Sequence, residues 1–274
     1  MSNITKVWAV YFTGTGNTKK TVCTAAKAAC EILGCSYAEH DFSLPSAREQ
    51  ELVFSDTDLV VFGTPVYAGR VPNVLLPYLT KNIRGNGALA IPVVTYGNRN
   101  FDDGLMELRN LMIANGLTPI AGGAFVGEHS FSTTLGAGRP DADDLSMARD
   151  LGEKAANKVL SGQTGAPVTV EGEDPIRPYY TPRDRNANPI NILKVKPKTD
   201  TAKCINCGLC ARICTMGSID PKDVTSVTGI CIKCCACVKR CPKGAKYYDD
   251  EGYLYHQHEL EDIYARRGES KIFL

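Results

Sequence analysis

No apolar run in the 274 residues approaches the roughly 18 needed to cross a bilayer, and the early apolar stretch from Val7 to Phe12 is too short for the core of a secretory signal. These absences argue against a membrane span and lead us to expect a cytoplasmic protein. Net charge is nearly absent as well. The 31 basic and 30 acidic residues leave +1, which gives no global pull toward nucleic acid or a lipid surface. Cysteine is missing from residues 36–203 although the chain carries twelve: three come earlier, and nine crowd between positions 204 and 241. A disulfide framework would be spread more evenly, so this clustering reads as metal ligation in a reducing compartment. The sequence also shows no recognisable nucleophile, acid pair or second nucleotide domain, so no catalytic residue is assigned.

What is present is an ordinary globular composition, 43% hydrophobic and 22% charged, over a length that suits one large and one small domain. The N-terminal part alternates strand-like and helix-like segments. Strands are expected at Lys6 to Phe12, Ser36 to Phe42, Asp58 to Phe62, Leu89 to Thr95 and Leu117 to Val126, and helices at Asn17 to Leu33, Asn73 to Leu79, Asp102 to Ala114 and Asp141 to Leu160. This alternation predicts an α/β fold with a doubly wound, five-stranded parallel sheet over residues 1–162. Residues 163–199 hold six prolines and no sustained period, so they read as a linker that wraps rather than folds. Residues 200–274 form a small α+β domain with a C-terminal extension, expected as a short hairpin and helix.

The small domain contains an internal repeat of 27 residues. Cys204, Cys207, Cys210 and Cys214 in the first copy align with Cys231, Cys234, Cys237 and Cys241 in the second. The spacing C-x2-C-x2-C-x3-C lets a tight loop present three thiolates to one cubane cluster while the fourth cysteine reaches the other. One set is then Cys204, Cys207, Cys210 and Cys241, and the other is Cys231, Cys234, Cys237 and Cys214. A zinc site or a redox dithiol uses C-x2-C pairs but does not explain eight cysteines in this order. Residues 203–246 resemble the bacterial two-cluster ferredoxin family, which implies two 4Fe-4S clusters. Thr215 departs from that family's proline. Cys235 is out of frame and reads as a small buried residue, as do Cys23, Cys30 and Cys35 in and after the first helix. Lys233, Lys239, Arg240, Lys243 and Lys246 gather around the second copy, where they would offset cluster charge, form a solvated patch or dock an acidic partner.

After the first strand, Thr13, Gly14, Thr15, Gly16, Asn17 and Thr18 supply hydroxyls and unhindered N–H groups at a helix start, which makes an anion site. It is neither a Walker loop nor a G-x-G-x-x-G dinucleotide loop. The loop resembles the phosphate loop of the flavodoxin family, and the resemblance implies FMN. Two later loops at the carboxyl edge extend it. Thr64, Pro65, Val66, Tyr67, Ala68 and Gly69 would hold the N5 side of the ring, and Thr95, Tyr96, Gly97, Asn98, Arg99, Phe101 and Asp102 the pyrimidine side. Tyr67, Tyr96 and Phe101 are the candidates for stacking. His129, in the loop after the fifth strand, is a candidate proton or hydrogen-bond donor.

The whole chain resembles the flavodoxin-ferredoxin fusion proteins of anaerobic microbes. That resemblance implies electron transfer between two 4Fe-4S clusters and FMN, linking one-electron partners such as ferredoxins, flavodoxins or oxidoreductases to a flavin. An FMN-dependent reductase of a small acceptor, fed through its own clusters with His129 and Arg99 as proton donor and anion contact, is the alternative reading.

Overall fold

The computed structural model describes residues 3–274. The first strand, β1 (Lys6–Tyr11), leads into α1 (Asn17–Leu33), whose end is set by Gly34 in the left-handed region at φ 63, its N–H donating to Cys30 O. Next come β2 (Ser36–Asp41), β3 (Asp58–Pro65), α2 (Leu76–Lys81), β4 (Leu89–Tyr96), α3 (Gly104–Ala114), β5 (Gly122–Val126) and α4 (Ala142–Leu160). The five strands are parallel in the order 2-1-3-4-5, with a two-residue strand, Thr118–Pro119, beside the start of β4. The expected sheet is present, with each expected element displaced by a few residues at most.

The central strands are nearly continuous apolar runs because helices cover both faces. An aromatic-rich layer including Phe12, Phe42, Phe62, Tyr78 and Leu105 fills one face, and Val7, Tyr11, Ala25, Ala29, Leu151 and Ala155 fill the other. On the second face the alanines of α1 meet α4 so closely that a Cβ on Gly152 would stand 2.1 Å from Ala25 O. Helix α4 begins with a capping box in which Asp141 accepts from the Asp144 N–H and the Asp144 carboxylate accepts from the Asp141 N–H.

Residues 163–199 lie along the first domain and contain no helix or strand except Lys198–Thr199. Val168 and Val170 are buried in the aromatic layer. Further on, the N–H groups of Glu173 and Arg177 and the Arg177 guanidinium all converge on Asp103, and the Tyr180 N–H donates to Ala68 O. The segment therefore crosses the carboxyl edge of the sheet.

The cysteine-rich part is built from two one-turn helices, α5 (Leu209–Arg212) and α6 (Ala236–Lys239), and an antiparallel pair of two-residue strands, Lys198–Thr199 with Lys246–Tyr247. After α7 (Glu251–Ile263) the chain departs from expectation. In place of a hairpin on the small domain it returns to the large sheet as β6 (Lys271–Phe273), antiparallel to β5. The reason lies in the edge of β5, whose open ladder needs a partner. Strand alternation then sends Ile272 to one core layer and Phe273 to the other.

Candidate cofactor sites

The phosphate-loop candidates sit where β1 becomes α1. Gly16 is the residue before the helix, with φ 102, a conformation that a side chain disfavours, and a Cβ there would meet nothing within 4 Å. Thr13 shapes the loop: its N–H donates to Ser43 Oγ and its Oγ1 accepts from the Gly16 N–H. Thr18 is buried and shares a hydrogen bond with Thr95, tying the loop to the end of β4. Asn17 Nδ2 donates to Glu128 O in the loop after β5. No acidic residue occupies the first turn of α1 and no side chain caps it, so the N–H groups of Asn17, Thr18 and Lys19 keep no protein acceptor among the described residues. Such a turn fits an anionic group by both hydrogen bonding and dipole.

The loops after β3 and β4 stand beside it. Tyr67 and Arg70 exchange backbone hydrogen bonds across a two-residue turn, Ala68–Gly69, with both residues at positive φ (52 and 80). A Cβ on Gly69 would stand 2.8 Å from Asp102 Oδ2, so the two loops are in direct contact. Thr64 Oγ1 is buried without a partner among the described residues. Tyr67 is half-buried, and desolvation together with the sulfurs of Cys234, Cys235 and Cys231 pushes its hydroxyl well above the usual tyrosine range.

Several candidates in the β4 loop are engaged elsewhere. Tyr96 and Phe101 belong to the core layer, with ring centroids 5.6 Å apart, and Tyr96 donates to Glu269 O. Asn98 Nδ2 donates to Tyr264 O and Arg266 O, while its Oδ1 accepts from the Gly268 N–H. This side chain holds the returning C-terminal segment, and only the loop's backbone stays free to face a ligand. Arg99 is paired with Asp102 and lies over Tyr180 at 5.0 Å, so its charge is not free for a small anion. Of the three stacking candidates, Tyr67 alone stands outside the core.

His129 packs on the same loop, where a Cβ on Gly97 would stand 2.2 Å from its Cδ2. Its Nδ1 accepts from the Phe131 N–H at 3.1 Å, so the neutral ring carries its proton on Nε2. Burial, aided by Lys239, His256 and Arg99, holds the imidazole pKa down at about 3. At neutral pH the ring is therefore uncharged, with its Nε2–H as the donor group.

None of the twelve cysteines is in a disulfide. One cavity is lined by Cys204, Cys207, Cys210 and Cys241, with Cys237 also touching its wall. A second, as open to solvent as the first, is lined by Cys214, Cys231, Cys234 and Cys237, with Cys235 beside them. Among the described residues no three His, Cys, Asp or Glu side chains converge for a single metal ion. The thiols instead gather around two separate cavities.

The backbone repeats with the sequence. Asn206 and Lys233 (φ 51 and 54), Gly208 and Cys235 (69 and 56), and Gly217 and Gly244 (62 and 58) share the left-handed region. Ser218 N–H donates to Cys214 Sγ at 3.3 Å, and Ala245 N–H to Cys241 Sγ at 3.2 Å. Cys235 thus fills a glycine position; its side chain is buried against Tyr253 OH at 3.5 Å. Three of the five basic residues near the second copy act as pins. Lys233 donates to Leu193 O and Cys231 O, and Lys246 to Thr199 Oγ1 and Val224 O. Lys239 donates to Glu128 Oε1 (2.5 Å), His129 O (2.6 Å) and Ser132 O (2.7 Å).

This last contact joins the two domains, and two more reinforce it. Arg48 donates to Phe42 O, Ser43 O and Thr215 O, and a Cβ on Gly14 would stand 2.8 Å from Cys234 Cβ. Thr215 is buried there with its hydroxyl 3.4 Å from Cys234 Sγ, which accounts for its departure from proline. Neither Arg48 nor the fixed place of Lys239 was readable in the sequence, since both depend on where the domains meet.

Residues 197–220 match the 4Fe-4S binding domain family. No curated protein matches the chain significantly. Solved structures with a similar fold include a flavodoxin from the domain Archaea, at 14% identity over 57% of this chain and 99% of that one, TM-score 0.41. Others are the Streptococcus pneumoniae TIGR4 flavodoxin (16%, 56% and 99%, 0.40) and rubredoxin oxygen:oxidoreductase from the anaerobe Desulfovibrio gigas (12%, 60% and 38%, 0.41). The sheet order, the uncapped glycine turn after β1 and the 4Fe-4S match define the class: a flavodoxin-like domain fused to a ferredoxin-type domain. Among the described residues no helix is long and apolar enough to cross a membrane.

Proposed function

We propose that the protein is an electron carrier holding one FMN and two 4Fe-4S clusters, passing electrons singly between redox proteins and the flavin. The observation that supports the reading is that two cavities, one lined by Cys204, Cys207, Cys210, Cys237 and Cys241 and the other by Cys214, Cys231, Cys234, Cys235 and Cys237, each gather cysteines from both repeats. Residues 13–18 would hold the FMN phosphate on the free N–H groups of α1, and the backbones of residues 64–69 and 95–102 would flank the ring. FMN supplies the exchange between one- and two-electron chemistry when bound. The chain's own residues position and shield it: Tyr180, His129 and α7 roof the carboxyl edge, and the Asp103 anchor holds the linker over it. Arg99, the anion contact of the reductase reading, is already paired with Asp102, which favours the carrier. We place the protein in the cytoplasm of an anaerobe, with ferredoxins, flavodoxins or oxidoreductases as partners and with flow possible in either direction.

The test is anaerobic reconstitution with iron, sulfide and FMN. About eight irons, eight sulfides and one FMN per chain are expected, and Cys207→Ala should lose about half the iron and sulfide. Zinc without labile sulfide, or a chain that takes up no flavin, would refute the assignment.

A further inference from the structure

The 27-residue repeat allows one cavity to be compared with the other position by position. Around the first cavity Ile205 is 58% exposed, whereas its equivalent beside the second, Ile232, packs against the aromatic core layer of the large domain. Cys207 is exposed, while Cys234 lies against Gly14 of the phosphate loop. Arg212 is exposed and caps its own loop at Cys207 O, but Lys239, only 12% exposed, is held by the oxygens of Glu128, His129 and Ser132. Pro242 is exposed, while Thr215 is buried and accepts from Arg48. At all four pairs the member beside the second cavity meets the flavin loops or the domain that carries them, and the member beside the first meets solvent.

The linings differ in charge as well. The first cavity contains Arg240, Lys243 and Lys246 and no carboxylate; the second contains no charged side chain at all. Arg240 and Lys243 are exposed at the mouth, next to Ile205. An apolar centre ringed by cations is complementary to a protein with an acidic face.

Building on the proposed function, we propose that the two centres are unequal. The cavity of Cys214, Cys231, Cys234 and Cys237 is the inner relay to the flavin, and that of Cys204, Cys207, Cys210 and Cys241 is the port where an acidic one-electron redox protein docks. In the reducing direction one electron leaves the reduced partner, which is oxidised, and reduces the outer centre. The outer centre is reoxidised as the inner one is reduced, and the inner one as the flavin gains the electron. Two such passes, with protons from solvent, complete flavin reduction; the reverse direction uses the same steps.

The test compares Cys207→Ala with Cys234→Ala in the reconstituted full chain, with Cys231→Ala as a second inner variant should Cys234→Ala fail to load. The readout is the EPR relaxation of the flavin semiquinone beside a reduced cluster. Fast relaxation is expected to survive in the Cys207 variant and to be lost in the inner variants. The opposite pattern, or equal loss in both, overturns the order. A wild-type chain lacking flavin or sulfide would instead sink the underlying function. Docking is tested with Arg240→Glu/Lys243→Glu and a small acidic ferredoxin as donor. The second-order rate should fall about tenfold or more at low salt and converge with wild type at high salt. A rate unchanged at low salt refutes the port.

Discussion

Acidification should destabilise this protein through two histidines that its interior keeps neutral. His129 is held at about 3 and His256 at about 4, chiefly by burial, against an ordinary value of 6.5. His256 is 6% exposed, and its Nδ1 has no partner among the described residues. A group whose pKa is depressed on folding binds more protons in the unfolded chain, so stability is complete above the unfolded value and drains away as pH falls below 6.5. At pH 5 the 1.5-unit gap is worth about 2 kcal/mol for each ring, so the pair should lower stability by about 4 kcal/mol relative to pH 8, and by about half that at pH 6. Urea midpoints of the anaerobically handled chain between pH 5 and 8 measure the loss. His256→Phe, which leaves no polar atom among Phe131 and Tyr180, should remove about half of the slope and make the protein more stable than wild type at pH 5. Imidazole chemical shifts titrated in the folded protein give an independent reading. A ring titrating near 6.5, or a His256→Phe variant with the wild-type slope, would refute the reasoning.

Lys239→Met removes an ammonium, 12% exposed, from three oxygens and leaves the Glu128 carboxylate behind. We expect the dock to weaken by about 2–4 kcal/mol, seen as faster hydrogen exchange over residues 128–132 with the fold retained. Gly152→Ala forces a Cβ to within 2.1 Å of Ala25 O, so α1 and α4 must separate; a loss of at least about 2 kcal/mol is expected in thermal unfolding, and a wild-type midpoint would contradict the packing. Asp103 is held down at about 2, first by the Arg177 guanidinium and then by two backbone N–H groups. Its depressed pKa means that the anchoring is complete above pH 4 and is lost toward pH 2. Asp103→Asn should therefore expose residues 173–180 to limited proteolysis at neutral pH, while Arg177→Lys should do so less.

Short-range patterns carried most of the architecture. The apolar runs of β1, β3 and β4, the glycine and threonine turn before α1 and the three-residue steps between cysteines each describe a local backbone shape, and local shape follows from sterics and hydrogen bonding within a few residues. Lys233, Lys239 and Lys246 show where that kind of reading stops. In sequence they are one basic cluster, yet each finds different oxygens because each faces a different surface. Tyr96, Phe101 and Asn98 looked like flavin contacts, but their side chains are taken by the core and by the returning C-terminus.

The sequence by itself determined the doubly wound sheet, the glycine turn at the start of α1 and the twofold repeat of cysteines, since periodicity, glycine placement and spacing are properties of consecutive residues. Tertiary structure decided which repeat faces the loops after β1, β3 and β4, the covering of those loops by the linker and α7, and the capture of the last residues as β6. These outcomes rest on contacts between segments more than 100 residues apart, such as Lys239 with Glu128 and Asn98 with Gly268, whose partners become known only when the surfaces meet.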